Sequence, residues 1–239
     1  MDRKGDTRLT GAWKLSVVIP VYNEKETIET VIKRVFDSPY EKEVIVVDDG
    51  SRDGTTKKLK SLESEFPIKV LYGTENRGKG AALKEAFKIV TGDMVIIQDA
   101  DLEYNPADYP LLLDPILDGR ADVVFGTRFL GGPHRVLLFW HYVGNRIVTL
   151  FSNMFTNLNL TDMETGYKAF RRSVLHGLEF KSNRFGFEPE FTAKVSSAKW
   201  RIYEVPISYS GRDYSEGKKI TWRDGLAALF HIVRFKFFD

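Results

Sequence analysis

Short apolar runs that stop abruptly on acidic turns constrain this chain more than any other feature. Val44-Ile45-Val46-Val47 ends on Asp48-Asp49-Gly50-Ser51, and Val95-Ile96-Ile97 ends on Gln98-Asp99-Ala100-Asp101. A run of β-branched residues with no polar alternation suits a strand buried on both faces, as in a parallel sheet covered by helices. In open sheets of this kind the carboxyl ends of the strands border the ligand crevice. The acidic turns therefore fall where chemistry is done.

The rest of the first half alternates in the same way, which predicts an α/β fold with a mostly parallel sheet. Strands are expected at Leu15–Pro20, Glu43–Val47, Ile68–Tyr72, Met94–Gln98 and Asp122–Gly126, with helices between them at 55–65, 76–90 and 106–117. Asn23, with Glu26 three residues on, gives an N-cap signal for a helix that aligns Ile28, Val31, Ile32 and Val35 on one face. After Arg128 and the Gly131-Gly132-Pro133 break, residues 134–158 read as an aromatic-rich helical stretch. A strand at 166–170, helices at 171–178 and 189–198, and a strand at 201–209 follow, with Pro206 pointing to an edge or bulge. Glu188 and Glu190 are expected to complement the dipole at the start of the 189–198 helix.

Alternate residues of a strand share a face, so Asp99 and Asp101 are expected to point together into the crevice. Two close carboxylates repel unless a cation lies between them, and Mg²⁺ or Mn²⁺ is the natural partner of such oxygens. Asp-x-Asp is a common pattern by itself; the second acidic turn at 48–51 gives it weight. Tyr22 offers a ring to stack on a base and Glu24 an acceptor for ribose or base donors, although a turn with a helix cap explains the same residues. Asp49 is placed to accept from a nucleobase, whereas Asp53 caps the next helix. Asn76-Arg77-Gly78-Lys79-Gly80 reads equally as a phosphate cradle or as a supporting loop. It matches neither the P-loop nor the dinucleotide fingerprint.

Composition removes several alternatives. The absence of cysteine excludes disulfides, thiolate metal sites and a cysteine nucleophile, and four scattered histidines give no zinc spacing. A net charge of +2 provides no global field for nucleic acid, so none is expected as a partner. Residues 1–14 are polar and lack a signal-peptide core, and no apolar run approaches the roughly 18–20 residues of a membrane span. The expectation is a cytoplasmic protein, peripheral at the membrane face if it meets a membrane.

Taken in order, Pro20-Val21-Tyr22-Asn23-Glu24, Asp48-Asp49-Gly50-Ser51-Arg52-Asp53-Gly54-Thr55, Asn76-Arg77-Gly78-Lys79-Gly80 and Asp99-Ala100-Asp101-Leu102 resemble the inverting family-2 glycosyltransferases of the GT-A fold. The second half carries Gly126-Thr127-Arg128, Gly144-Asn145-Arg146, the segment from Asp162 to Lys168 and the segment from Arg212 to Lys218. These are similar to the dolichol- or polyprenol-phosphate mannosyltransferase branch and its glucosyl relatives. The resemblance implies one GT-A domain at 15–220, with a donor half at 15–128 and an acceptor half at 129–220. A polar extension (1–14) precedes it and an amphipathic helix (221–239) follows. It also implies that Pro20, Tyr22, Glu24, Val47 and Asp49 hold the nucleoside and that Ala100 lies against the sugar nucleotide. Asp99 and Asp101 would hold Mg²⁺ or Mn²⁺ on the diphosphate, with Glu103 as a third ligand where relatives often carry Gln. Arg128 and Arg146 would grip an acceptor phosphate, and Arg212 and Lys218 would sit on a loop that closes over the donor.

The implied reaction moves a hexose from a nucleotide sugar, GDP-mannose or UDP-glucose, to a polyprenyl phosphate. An anionic acceptor needs arginine for orientation rather than a base. A hydroxyl acceptor would need one, with Asp162 or Glu164 as candidates. A non-catalytic nucleotide-sugar or membrane-binding partner is the remaining alternative. The stretch 134–158 and the stripe Trp222, Leu226, Leu229, Phe230, Val233 and Phe237 suit a bilayer interface, a partner or the core.

Overall fold

The computed structural model describes residues 9, 11–136, 139–184, 186–212 and 222–238. Seven strands form one sheet: β1 (Leu15–Val21), β2 (Lys42–Asp48), β3 (Ile68–Tyr72), β4 (Met94–Ile97), β5 (Val123–Thr127), β6 (Lys168–Arg171) and β7 (Ile202–Pro206). Their spatial order is β3-β2-β1-β4-β6-β5-β7. β1 pairs in parallel with β2 on one side and β4 on the other, so the order reverses there and leaves a crevice at the carboxyl ends of these strands. β6 runs antiparallel between β4 and β5. β7 is an edge strand parallel to β5, and Pro206 ends it, as an edge proline can.

Helices α1 (Ile28–Asp37), α2 (Thr55–Glu65), α3 (Lys79–Phe87), α4 (Tyr109–Leu117), α5 (Phe139–Thr156), α6 (Phe187–Ser197) and α7 (Trp222–Phe237) cover the sheet. Alternate residues of β1 feed two separate cores. Val17 and Ile19 join Ile28, Val31 and Val35 of α1, while Val18 joins Leu83 of α3, Phe187 of α6 and Ile232 of α7. The uninterrupted apolar run of each central strand is thus explained by packing on both faces.

Two local expectations are corrected. Asn23 does not cap α1: it takes a left-handed φ of 54° and accepts the Arg52 backbone N–H at 2.8 Å, tying the β1 and β2 loops together. The helix begins at Ile28, because the chain between spends a turn on Glu24 and Thr27. β4 stops at Ile97, so Asp99 and Asp101 lie in a turn beyond the strand and strand alternation does not set their direction. On α7 Ala228, Ile232 and Phe235 are buried, whereas Phe230 and Phe237, from the stripe noted in the sequence, face outward. The side chains of Trp222 and Leu226 lie outside the described residues.

Candidate active site

The turn after β4 gathers the acidic residues around two cations. Arg212 sits among three carboxylates. Its Nη2 donates to Asp101 Oδ2 at 3.0 Å and Glu24 Oε1 at 3.2 Å, its Nη1 to Glu24 Oε2 at 3.3 Å, and its backbone N–H to Glu103 Oε1 at 2.8 Å. Lys79 takes the other side, 2.8 Å from Asp99 Oδ1 and 3.2 Å from Glu188 Oε1. Asp99 and Asp101 therefore engage different cations, which relieves the repulsion that a turn this tight creates. Both side chains remain about 20% exposed, so the turn is open to the crevice.

The electrostatics follow from burial and crowding. Burial pushes the Asp101 carboxyl up to about 7, and the negative charges of Asp99 and Glu103 push in the same direction, against Arg212. Burial works against the Lys79 ammonium, but Asp99 and Glu188 outweigh it and hold the group above the ordinary lysine value. Among the described residues no three acidic or histidine side chains already converge as a set of metal ligands. The donor set nevertheless fits a hard divalent ion: Asp101 and Glu103 are oxygen ligands held by one monovalent guanidinium, and the first is starved of positive charge.

The backbone under this turn is fixed by tyrosines. Tyr109 and Tyr167 both donate to Gln98 Oε1 at 3.2 Å, and Tyr167 also to the Asn105 carbonyl at 2.9 Å. Tyr104 stacks on Tyr167 at 4.9 Å and accepts the Gly166 N–H. Gly166 leaves room for Asp99 as it stands, since a Cβ there would collide with Asp99 Oδ2, lie 2.9 Å from Lys79 Nζ and oblige these side chains to move.

Beside the β1 and β2 loops, Asp49 accepts the backbone N–H groups of Arg77 and Gly78 at 3.0 and 2.6 Å. Gly78, at φ +101°, turns the chain toward it. Those N–H groups serve the protein, which favours the supporting-loop reading of 76–80 over a phosphate cradle. Asp53 caps α2 through the Thr55 N–H, as expected, and also accepts from Lys25. Tyr22 and Pro20 are half-buried beside Glu24, whereas Val47 and Ala100 are buried.

On the opposite side, Arg128 forks onto Asp162 through Nε and Nη2, both at 2.6 Å, and its own backbone N–H joins at 3.2 Å. Asn145 donates to the same carboxylate, and exposed Arg146 reaches the adjacent Thr161 carbonyl at 3.4 Å. The segment 161–162 thus brings Arg128 and Arg146 together. Tyr209 joins this group to the acidic turn: its ring lies 5.1 Å from the Arg128 guanidinium and its hydroxyl donates to Glu103 at 2.9 Å. Lys218 lies outside the described residues.

Sequence reasoning missed Lys79 as an ion-pair partner, the tyrosine platform and Tyr209. It also read Glu188 and Glu190 as dipole partners only. Both are buried in the first turn of α6, but Glu188 reaches Lys79 and Glu190 accepts the N–H groups of Lys181 and Ser182. Two glutamates enclosed by Phe187 and Phe191 were the available signal.

The glycosyl transferase family 2 model matches residues 16–178. The chain belongs to glycosyl transferase family 2. This glycosyltransferase is 30% identical over 86% of its length to dolichol-phosphate mannosyltransferase of Pyrococcus furiosus, spanning 59% of that protein. It is 32% identical to undecaprenyl-phosphate mannosyltransferase of Micrococcus luteus, over 86% of this chain and 87% of the relative. It is also 30% identical to polyprenol monophosphomannose synthase of Mycolicibacterium smegmatis, over 84% and 79%. Its GT-A fold is shared with glucosyl-3-phosphoglycerate synthase from Mycobacterium tuberculosis, solved with Mn²⁺, UDP and phosphoglyceric acid. The TM-score is 0.71 at 22% identity, covering 93% of this chain and 77% of that one.

Proposed function

We propose that this glycosyltransferase moves a hexose, mannose or glucose, from a nucleotide diphosphate sugar to a polyprenyl phosphate, with inversion and with Mg²⁺ or Mn²⁺. The observation that carries the reading is the pairing, across Tyr209, of an acidic turn that needs positive charge with an arginine fork held ready by Asp162. The polyprenyl-phosphate mannosyltransferases among the relatives support the acceptor class, and the Mn²⁺ and UDP in the neighbouring structure support the cofactor and donor class.

Asp101 and Glu103 are the residues to hold the ion, with Asp99 steadied by Lys79 at their side. A divalent ion supplies charge compensation for the departing diphosphate. Arg128 spends Nε and one Nη2 hydrogen on Asp162, leaving three of its five N–H donors for an acceptor phosphate. That phosphate is largely dianionic at pH 7 and attacks without surrendering a proton. Its oxygen bonds to the anomeric carbon, the carbon–oxygen bond to the diphosphate breaks, and the electron pair leaves on the diphosphate oxygen. Arg212 is placed to follow that charge from its position beside Asp101.

A hydroxyl acceptor finds no ready base here. Asp162 is committed to Arg128 and Asn145, and Glu164 is pushed up to about 8 by burial first and by Glu188 second, so it keeps its proton at neutral pH.

A membrane-facing arrangement also supports a lipid acceptor. α5 turns Thr149, Ser152 and Thr156 inward and exposes Trp140, Ile147, Leu150 and Met154. No helix among the described residues is long and apolar enough to cross a membrane.

The test is a panel of nucleotide sugars offered with short-chain polyprenyl phosphates and with sugar-hydroxyl acceptors. Glycosyl-phosphoryl lipid from one donor is expected, lost in chelator and lowered at least a hundredfold by Asp101→Ala. Turnover confined to hydroxyl acceptors would overturn the acceptor, and undiminished rate in chelator the metal.

A further inference from the structure

A second polar cavity lies on the other side of the 75–79 turn from the acidic cleft. It is an open cavity of about 580 Å³ between that turn, residues 181–184 with Gly186, and α7. Arg77, Lys181, Arg184 and Arg234 line it, against a single acid, Glu75. Arg184 and Arg234 have no carboxylate within ion-pair distance among the described residues; Arg77 pairs with Glu85 at 3.4 Å. Arg184 and Arg234 are exposed and their guanidinium groups suit the planar, multi-donor recognition of phosphate.

The cavity is built rather than incidental. Glu190, fully buried, accepts the N–H groups of Lys181 and Ser182 at 2.6 and 2.7 Å, and the Asn183 carbonyl accepts the Ala81 N–H at 3.0 Å. These bonds fix the loop against α6 and α3. Ser182 is more than nine-tenths buried, lines the cavity, and its Oγ has no hydrogen-bond partner. His231 Nδ1, from α7, is likewise buried and unpartnered. Gly186 permits their approach: a Cβ there would come within 2.7 Å of Ser182 Oγ and 2.9 Å of His231 Nε2. A buried hydroxyl without a partner is destabilising, a loss that a ligand acceptor reverses.

We propose that this cavity binds a phosphate group, with Ser182 Oγ donating to it and Arg184 and Arg234 bracketing its charge. None of these residues belongs to the donor or acceptor machinery described above. The phosphate belongs to a phospholipid headgroup or to a soluble phosphate ester. Phe230 and Phe237, exposed on the same helix as Arg234, favour the lipid.

The full chain is titrated with inorganic phosphate and glycerol phosphate by calorimetry. It is also sedimented with phosphatidylcholine vesicles with and without 30% phosphatidylglycerol. Neither readout requires turnover, so the result stands apart from the acceptor assigned above. Saturable phosphate binding is expected, weakened at least tenfold by Arg184→Gln with Arg234→Gln and several-fold by Ser182→Ala, with thermal midpoint and nucleotide-sugar affinity unchanged. Preference for phosphatidylglycerol vesicles lost in the same variants assigns the lipid. Titration by glycerol phosphate with no vesicle preference assigns the soluble ester. Phosphate binding that ignores all three substitutions, or a parallel loss of nucleotide-sugar affinity in Ser182→Ala, would overturn the site.

Discussion

Arg212 places one positive charge among Glu24, Asp101 and Glu103, so a divalent ion reaching Asp101 and Glu103 has to compete with it. Replacing it by Met removes the competitor and leaves the ligands. We expect Arg212→Met to tighten Mn²⁺ binding to the nucleotide-free protein about tenfold, roughly 1.4 kcal/mol, when read by calorimetry, while the KM for the sugar nucleotide rises. Weaker Mn²⁺ binding would mean that Arg212 organises the ligands instead. Glu164 gives a second prediction. Its folded carboxyl titrates near 8 against an ordinary value of 4.5, so the native state holds a proton that the unfolded chain has lost. That contribution to stability is complete below about 4.5 and disappears as pH rises through 8. Glu164→Gln keeps the neutral form at every pH. Its thermal midpoint should match the parent at pH 5 and exceed it at pH 8.5, by about 2–4 °C for each kcal/mol recovered. Equal midpoints at both pH values would show that Glu164 ionises freely in the fold.

At the scale of elements, what was legible in the sequence was what local pattern controls. The apolar runs at 44–47 and 95–97 gave β2 and β4, because burial on both faces leaves no other assignment, and Ile68–Tyr72 matches β3, a half-buried edge strand. The acidic turns were legible for the same reason, since they sit where those runs stop. Partnership was not. Lys79 pairs with both Asp99 and Glu188, the latter on a helix 109 residues further along the chain than the lysine, and only the insertion of antiparallel β6 beside β4 brings Gly166 under the turn. Asn23 carries a capping signal, yet Arg52 claims its side chain from another loop. Gly166 tests how tightly the elements fit. A Cβ there meets Asp99 and Lys79 at once, so Gly166→Ala should shift the Asp99 carboxylate and lower kcat about a hundredfold while circular dichroism stays native. Normal turnover in that variant would show that Asp99 has room to move without consequence.

For the whole molecule, the distribution of apolar surface is at odds with a protein surrounded only by water. α5 packs Val148, Phe151 and Phe155 inward together with Thr149, Ser152 and Thr156, yet also presents Phe139, Trp140, Ile147, Leu150 and Met154, each more than half exposed; α7 beside it adds Phe230 and Phe237, and Phe238 follows. An amphipathic helix facing only a core and water would carry its apolar residues on one face. Such a surface gains little in water, whereas withdrawing one Leu or Trp from it is worth about 1.5–3 kcal/mol. A net charge of +2 does not oppose approach to an anionic bilayer. The two helices and the cationic cavity at α7 would together form the membrane-facing side of the proposed reading, and Arg146, exposed on α5, places the proposed acceptor grip on the same element. Trp140→Ser with Leu150→Ser should lower partition onto phosphatidylglycerol vesicles at least tenfold, with thermal midpoint and soluble-donor binding unchanged, because both side chains already lie outside the core. If partition persists while the protein becomes less stable, the outward face of α5 is packing surface after all, and the lipid acceptor loses its structural support.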